Sequence, residues 1–200
     1  MSRLVSSAVD DDGELVAALQ ANDEEAFVML VRRYQPALLR LAEATVGSRA
    51  VAQEVTQDTW LAVMRGVDRF EGRSSFKTWL FRILVNRART AAGREQRAGR
   101  PEPIDAERFD ASGAWATPPE PWADQAEDRV MAAHLANRVR ALLVGLPDAQ
   151  RQVVLLRDVE GLPAADVSSL LGLSDGNQRV LLHRARAHLR EQLAHEVTVS

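Results

Sequence analysis

The amino-acid sequence predicts an all-α fold made of two small helical domains that are joined by an irregular acidic linker. Apolar residues recur at intervals of three and four over residues 10–98, and again over residues 126–195. No segment shows the sustained alternation of apolar and polar residues that is typical of a half-buried strand. Residues 99–125 are rich in proline and in acids and lack periodicity, which indicates a linker.

The first domain is predicted to contain four amphipathic helices. Gly47 is placed to end the second helix, because glycine adopts the left-handed conformation of a helix C-terminus without strain. Ser74 or Ser75 can cap the fourth helix, which is predicted to run from Phe76 to about Ala92. The apolar positions of the first three helices are Leu15, Ala18, Leu19, Phe27, Leu30, Val31, Tyr34, Leu38, Leu41, Val51, Val55, Thr59 and Ala62.

The second domain is also predicted to contain four helices. Gly161 and Gly172 lie where left-handed turns would separate the second, third and fourth of them. Ser174 is placed to cap the fourth. The first three are predicted over residues 126–143, 147–159 and 163–171.

The segment from Leu162 to Arg190 has the organisation of a helix-turn-helix. A short apolar helix, a tight turn and a basic amphipathic helix follow one another, as that DNA-binding unit requires. The alternative is a plain helical hairpin whose cations are only solvated. The outward cations are Arg179, His183, Arg184, Arg186 and Arg190.

Charge is sorted along the chain, although the formal net charge is only −3. Between Arg82 and Arg100 there are six arginines and a single acid, Glu95. Residues 101–128 reverse this balance, with eight acids and one base, Arg108. Such asymmetry is more informative than the total, and the basic block is compatible with a nucleic-acid partner.

Composition excludes several classes of protein. The chain has no cysteine, so disulfides and thiolate metal sites are excluded. No run of about 18 apolar residues and no signal peptide is present, so we expect a cytoplasmic protein without membrane insertion. His183 and His188 are five residues apart and point in different directions on a helix, while His134 and His195 lie elsewhere, so no metal site is expected.

The predicted fourth helix mixes cations, an aromatic residue and an amide. Single-stranded DNA is held by such a mixture, because cations follow the backbone while aromatic faces and amides receive unstacked bases. The alternative is that Trp79 belongs to the core and the cations are merely solvated. The residues concerned are Lys77, Trp79, Arg82, Asn86, Arg87 and Arg89.

Two stretches of the first domain resemble sigma domain two of bacterial RNA polymerase sigma factors. Residues 52–60 read Ala-Gln-Glu-Val-Thr-Gln-Asp-Thr-Trp, and residues 69–87 read Arg-Phe-Glu-Gly-Arg-Ser-Ser-Phe-Lys-Thr-Trp-Leu-Phe-Arg-Ile-Leu-Val-Asn-Arg. Short runs of the second domain resemble sigma domain four of the extracytoplasmic-function (ECF) group. These runs are Leu146-Pro147, Gln150-Arg151, Val159-Glu160-Gly161-Leu162, Leu171-Gly172-Leu173-Ser174 and His183-Arg184-Ala185-Arg186.

The resemblance implies that the chain binds core RNA polymerase, directs it to promoter DNA and assists strand opening. Domain two would dock on the clamp coiled coil, and the flap and an anti-sigma factor are further implied partners. An acidic, amide-bearing helix face suits a basic coiled coil, although a solvated face is the alternative. The implied docking residues are Gln53, Glu54, Gln57 and Asp58.

The same resemblance implies two DNA contacts. The fourth helix would melt the promoter's minus-10 element and hold it as a single strand, through the residues named above from Lys77 to Arg89. Domain four would read the minus-35 element as a duplex in the major groove. The implied minus-35 residues are Ser174, Asn177, Gln178, Arg179, His183, Arg184 and Arg186.

One run departs from the family pattern. Many relatives carry Thr-Val-Lys-Ser-Arg-Leu where residues 177–182 of this chain read Asn-Gln-Arg-Val-Leu-Leu. Leu181 replaces an arginine that could meet DNA, while Asn177 and Gln178 add amides able to pair with adenine edges. The promoter sequence is therefore not expected to transfer from relatives.

The linker can be interpreted in two ways. It is a simple tether if its prolines and acids only extend it. In the family, however, the connecting segment threads through the active-site cleft and RNA exit path of the polymerase, where an acidic chain could stand in for nascent RNA. The apolar residues Ile104, Phe109, Trp115 and Trp122 favour the second interpretation.

No phosphate-binding glycine loop and no nucleophile motif is present, so we expect neither enzymatic activity nor a cofactor. Two other classes of protein stay open. A free-standing helix-turn-helix regulator would bind operator DNA as a dimer, but it would need a dimerising helix and a ligand or receiver domain, and neither is evident. A helical interaction adaptor would bind no DNA. Co-purification with core polymerase would separate the sigma factor from both.

Overall fold

The computed structural model describes residues 7–97, 142–143 and 145–199. These residues form α-helices, one 3₁₀ turn and one π turn, and no strand occurs among them, which confirms the all-α prediction. The predicted linker and most of the predicted helix over residues 126–143 lie outside the described residues, so the predicted domain boundaries stay predictions. No helix in the described part of the chain is long and apolar enough to cross a membrane.

Seven α-helices are present in the described residues. The predicted second, third and fourth helices of each domain are confirmed as α2, α3, α4 and as α5, α6, α7. A 3₁₀ turn at Val67–Arg69 follows α3, and a π turn at Leu155–Val159 continues α5. The helices are α1 Ser7–Gln20, α2 Glu24–Val46, α3 Arg49–Gly66, α4 Phe76–Arg97, α5 Asp148–Val154, α6 Ala164–Leu171 and α7 Asp175–Val199.

Local chemistry sets the helix ends as the sequence predicts. Gly47 follows α2 with φ 70° and donates its N–H to the Glu43 carbonyl. Ser75 caps α4, because its Oγ accepts from the Thr78 N–H at 3.1 Å. Ser174 caps α7 in the same way, accepting from the Asn177 N–H at 3.2 Å. Each serine cap satisfies a backbone donor that the first turn of a helix leaves without a partner, and Gly47 satisfies a carbonyl of the last turn of α2.

The described residues divide into two compact units. The first contains residues 7–97 together with Ala165–Gly172, and the second contains residues 142–143, 145–164 and 173–199. In the first unit, α2, α3 and α4 pack on one another and α1 lies against α2. Burial of these apolar side chains provides the main driving force for folding. Fully buried members are Leu30, Leu38, Leu41, Val63, Leu80, Phe81 and Leu84.

Polar side chains tie the first unit together at its edges. Gln20 at the end of α1 donates to the carbonyls of Val67 and Phe70 at 2.9 and 3.2 Å. The Trp60 indole N–H donates to Gln35 Oε1 at 2.6 Å. These bonds satisfy groups that the helices alone would leave without partners.

In the second unit, α5 packs against α7. Val153 and Leu156 are fully buried, as is Ala185 on α7. The Arg151 guanidinium donates to the Leu143 and Leu146 carbonyls at 2.8 and 2.6 Å, which holds the chain entering α5. Because this packing buries one side of α7, it also determines which side of the helix faces outward.

Candidate nucleic-acid and polymerase interface

Helix α4 presents its predicted DNA residues on and beside one exposed face. Arg82, Asn86 and Arg89 are exposed and follow one another at steps of four and three residues, which aligns them along the helix. Lys77 and Arg87 are half-buried beside this row. The row combines two guanidinium groups with one amide, which can contact phosphates and the edges of unstacked bases.

Trp79 is half-buried and belongs to an aromatic cluster. Its ring centroid lies 5.1 Å from that of Phe70 and 5.7 Å from that of Phe76. A Cβ placed on Gly66 would lie 3.6 Å from Trp79 Cζ2, so the indole also covers the end of α3. One side of the Trp79 ring thus packs in the core, in agreement with the alternative interpretation given above. Only the rest of the ring is open to solvent.

The four predicted docking residues, Gln53, Glu54, Gln57 and Asp58, are all exposed on α3. The opposite face of the helix is buried through Ala52, Val55, Thr56 and Thr59. The Thr56 and Thr59 hydroxyls donate hydrogen bonds to the backbone carbonyls four residues earlier, each at 2.7 Å. Their burial therefore leaves neither hydroxyl without a hydrogen-bond partner.

Two apolar side chains extend this docking face and were missed from the sequence. Leu61 is 52% exposed and Met64 is 45% exposed, and they continue the row that begins at Gln57 in steps of four and three. The sequence signal that could have predicted this extension is Leu61, an apolar residue four positions after Gln57. The face therefore offers an apolar contact as well as an acidic one.

A groove of about 480 Å³ runs between α3 and α4. Glu54 and Asp58 stand on one side, and Asn86, Arg87 and Arg94 on the other. Arg87 Nη1 lies 3.6 Å from Asp58 Oδ2, so a predicted docking residue and a predicted DNA residue form an ion pair. Both groups are well solvated, and such a pair contributes little to stability.

Helix α7 carries the predicted minus-35 residues. Ser174, Asn177, Arg179 and His183 are exposed, and Arg184 is half-buried. Arg186 is half-buried as well and forms a bidentate pair with Asp158, with N–O distances of 2.8 and 2.6 Å. Donation of these hydrogen bonds to the Asp158 carboxylate raises the pKa of Arg186. The structure thus gives Arg186 a structural contact within its own unit.

Gln178 does not lie where the sequence placed it. Its side chain is only 2% exposed, and its Nε2 has no hydrogen-bond partner among the described atoms. The prediction that this amide contacts an adenine edge is therefore wrong, because a buried side chain cannot reach a base in this arrangement. The packing of α7 turns this position inward with Leu182 and Ala185.

The outward face of α7 instead includes an apolar residue that was not among the predicted ones. Val180 is 45% exposed, while its neighbour Leu181 is half-buried. The departure from the family run at residues 177–182 was the sequence signal for it.

The comparisons with known proteins match both helical regions. The family model for Sigma-70 region 2 matches residues 30–98, and the model for Sigma-70 region 4 matches residues 136–189. The chain is 32% identical over 178 residues to the ECF RNA polymerase sigma-E factor of Escherichia coli (strain K12), covering 88% of this chain and 90% of that protein. The chain belongs to the ECF sigma factors.

Another relative and two solved structures are also similar to this chain. The ECF RNA polymerase sigma-E factor of Haemophilus influenzae is 30% identical over 185 residues, covering 91% of this chain and 95% of that protein. The structure of CnrH in complex with the cytosolic domain of CnrY matches with a TM-score of 0.57 and 27% identity, over 93% of this chain and 99% of that one. RpoE of Bartonella quintana, in complex with the anti-sigma factor NepR, shares the fold with a TM-score of 0.55 at 23% identity.

Membership in the ECF sigma factors establishes the general function of the chain. The chain is a transcription initiation factor that binds core RNA polymerase, directs it to promoters and assists strand opening. Sigma factors have no catalytic activity of their own. Within the described residues no group of three or more histidine, aspartate or glutamate side chains could hold a metal ion.

Proposed function

We propose that this ECF sigma factor divides promoter recognition between residues 10–98 and residues 126–195, with residues 99–125 as the acidic linker. The first segment would dock on core polymerase and open the minus-10 element, and the second would read the minus-35 element. Support comes from the positions of the two family matches and from the exposed polar faces of α3, α4 and α7. The single observation that carries the proposal is the row of Arg82, Asn86 and Arg89 along α4.

Docking on the clamp coiled coil is assigned to Gln53, Glu54, Gln57 and Asp58. Their exposure and the negative charges of Glu54 and Asp58 suit a basic helical partner. Asp58→Arg should weaken co-purification with core polymerase at least tenfold, because like charges then face each other. Asp68→Arg is the matched control, since Asp68 is also an exposed acid and lies on the turn after α3. If both variants retained core polymerase equally well, the proposed docking face would be wrong.

Strand opening is assigned to the α4 residues, with Asn86 as the main candidate for contact with a flipped base. Asn86→Ala should lower open-complex formation on a linear duplex more than on a template already mismatched at the minus-10 element. Thr90→Ala is the control, because Thr90 is exposed one turn further along α4. Equal loss on both templates would indicate a docking or folding defect instead.

Duplex reading is assigned to α7, through Ser174, Asn177, Arg179, His183 and Arg184. Each small unit offers few base contacts, so the isolated protein should bind duplex promoter weakly, and core polymerase should make that binding specific. Run-off transcription with core polymerase on a genomic promoter library tests this proposal. Tight, sequence-specific binding by the protein alone at physiological salt would favour the free-standing regulator.

An anti-sigma partner and a cytoplasmic location complete the proposal. CnrH is solved with the cytosolic domain of CnrY, and its likeness to this chain extends over 93% of the sequence. A tagged copy expressed in its own cells should therefore co-purify with a second protein that displaces core polymerase. Recovery of the chain with core polymerase alone, in stressed and unstressed cells, would count against that partner.

A further inference from the structure

The centre of the outward face of α7 is apolar. Gln178, Leu182 and Ala185 are buried, at 2%, 8% and 0% exposure, and define the inward side of the helix. At 100° per residue, Val180 lies about 140–160° around the axis from each of them. Its 45% exposure agrees with that position. Val180 is thus one of the residues that point away from the unit, and its side chain is apolar.

The neighbours of Val180 on this face are polar. Asn177 precedes it by three residues and is exposed, and Arg184 follows it by four residues and is half-buried. Residues at these spacings lie side by side along a helix. The exposed stripe therefore presents an amide, a branched aliphatic group and a guanidinium in order.

Each of these groups has a distinct complement in the major groove. An asparagine amide pairs with adenine N6 and N7, and arginine pairs with guanine O6 and N7. Valine has neither a donor nor an acceptor, and the C5-methyl group of thymine is the apolar group that a base pair presents there. Many relatives have serine at this position in the run at residues 177–182, and a hydroxyl can pair with several base edges.

We propose that Val180 is a specificity residue that contacts a thymine methyl in the minus-35 element, next to the base pair faced by Asn177. This inference rests on the proposed function of α7 as the helix that enters the major groove. It predicts that the preferred minus-35 sequence of this sigma factor contains a thymine whose methyl group contributes to binding. Serine at position 180 would not read that methyl group.

The test uses holoenzyme reconstituted from the full chain and core polymerase. A duplex pool with a fixed minus-10 element and a randomised minus-35 region is selected with the native chain and with Val180→Ser. The native chain should enrich thymine at one position, and V180S should lose that enrichment alone. Val159→Ser is the matched control, since Val159 is 49% exposed and lies outside α7; it should keep the thymine preference.

Deoxyuridine then isolates the methyl group. Replacing the selected thymine by deoxyuridine should weaken binding of the native holoenzyme about three- to fivefold, as expected for loss of one buried methyl group. The same replacement should leave V180S unaffected.

The two possible failures are distinguishable. If the native holoenzyme selects no minus-35 sequence, the proposed role of α7 is wrong. If it selects a sequence but deoxyuridine binds as well as thymine, or V180S keeps the preference, α7 reads the duplex and the Val180 contact is wrong. A fall in core binding by V180S would mean that Val180 faces a protein, which also overturns the inference.

Discussion

Tyr34 has the most perturbed environment among the described side chains that titrate. It is 6% exposed, and its hydroxyl donates to Asp12 Oδ2. Burial raises the pKa of Tyr34 well above its ordinary value of about 10, and the hydrogen bond to Asp12 and the charge of that carboxylate act in the same direction. The phenol is therefore kept neutral in the folded chain.

The sign of the pH dependence follows from that shift. The folded pKa is above the unfolded one, so the contribution of Tyr34 is fully present below about pH 10 and is lost as the pH rises further. We expect no tyrosinate absorbance from the folded protein at pH 10.5, whereas the unfolded chain ionises there. Tyr34 is the only tyrosine, which makes the optical signal unambiguous.

A control variant completes the alkaline titration. Tyr34→Phe should remove the part of the stability loss above pH 10 that depends on the phenol. Half-ionisation of the folded native chain near pH 10 would contradict the burial of Tyr34.

Gln178 gives a second prediction at this scale. Its buried Nε2 without a partner costs stability, so Gln178→Met, which keeps the length and removes the amide, should raise the free energy of unfolding by about 1–2 kcal/mol. Urea unfolding measures the change. Asn177→Met is the exposed control, with a change within about 0.5 kcal/mol. Destabilisation by Q178M would show that the amide has a partner, such as a bound water.

At the scale of elements, the start of α4 positions the residues that we propose to open the DNA strands. Ser75 caps this helix, while Ser74 makes no cap contact in the described hydrogen bonds. Lys77 and Trp79 lie in the first turn and a half after the cap, so fraying there would displace them. The aromatic cluster of Phe70, Phe76 and Trp79 holds the same end of the helix from the other side.

Removal of this cap should therefore affect stability and opening together. Ser75→Ala should lower the free energy of unfolding by about 1 kcal/mol and slow open-complex formation on linear duplex. Ser74→Ala is the matched control, with a much smaller change in both. Circular dichroism during urea unfolding and an open-complex assay measure the two effects. Equal behaviour of both variants would show that Ser75 is not the effective cap.

At the scale of the whole molecule, the acidic linker separates the two segments that we propose to contact DNA. Residues 99–125 carry six acids against two bases and include two tryptophans. If the linker occupies the basic RNA path of the polymerase, growing RNA must displace it. Charge in this segment would then matter after promoter opening rather than during core binding.

A triple substitution tests this role of the linker. Neutralising Asp105, Glu107 and Asp110 together, as D105N, E107Q and D110N, should leave core binding nearly intact and change the ratio of abortive to full-length transcripts. Gel analysis of initial transcripts measures that ratio. An unchanged ratio with normal promoter opening would mean that the linker is a tether.

The sequence by itself determined which described segments are helical, several of the helix ends and the two family regions, although α4 runs to Arg97, five residues beyond its predicted end. Gly47, Ser75 and Ser174 act through contacts within a few residues, so a local pattern is enough to predict them. The exposure of Gln57 was also predictable, because helical periodicity places it on the side of α3 opposite the buried Val55 and Thr59.

Only the tertiary structure decided how several side chains of the candidate site are used. Gln178 is polar yet turned inward, because the packing of α7 rather than its composition sets the buried face. Arg186 is occupied by Asp158, which is 28 residues away in sequence, and one side of Trp79 is covered by Phe70 and Gly66. These contacts join residues that are distant along the chain, so a local sequence pattern cannot predict them.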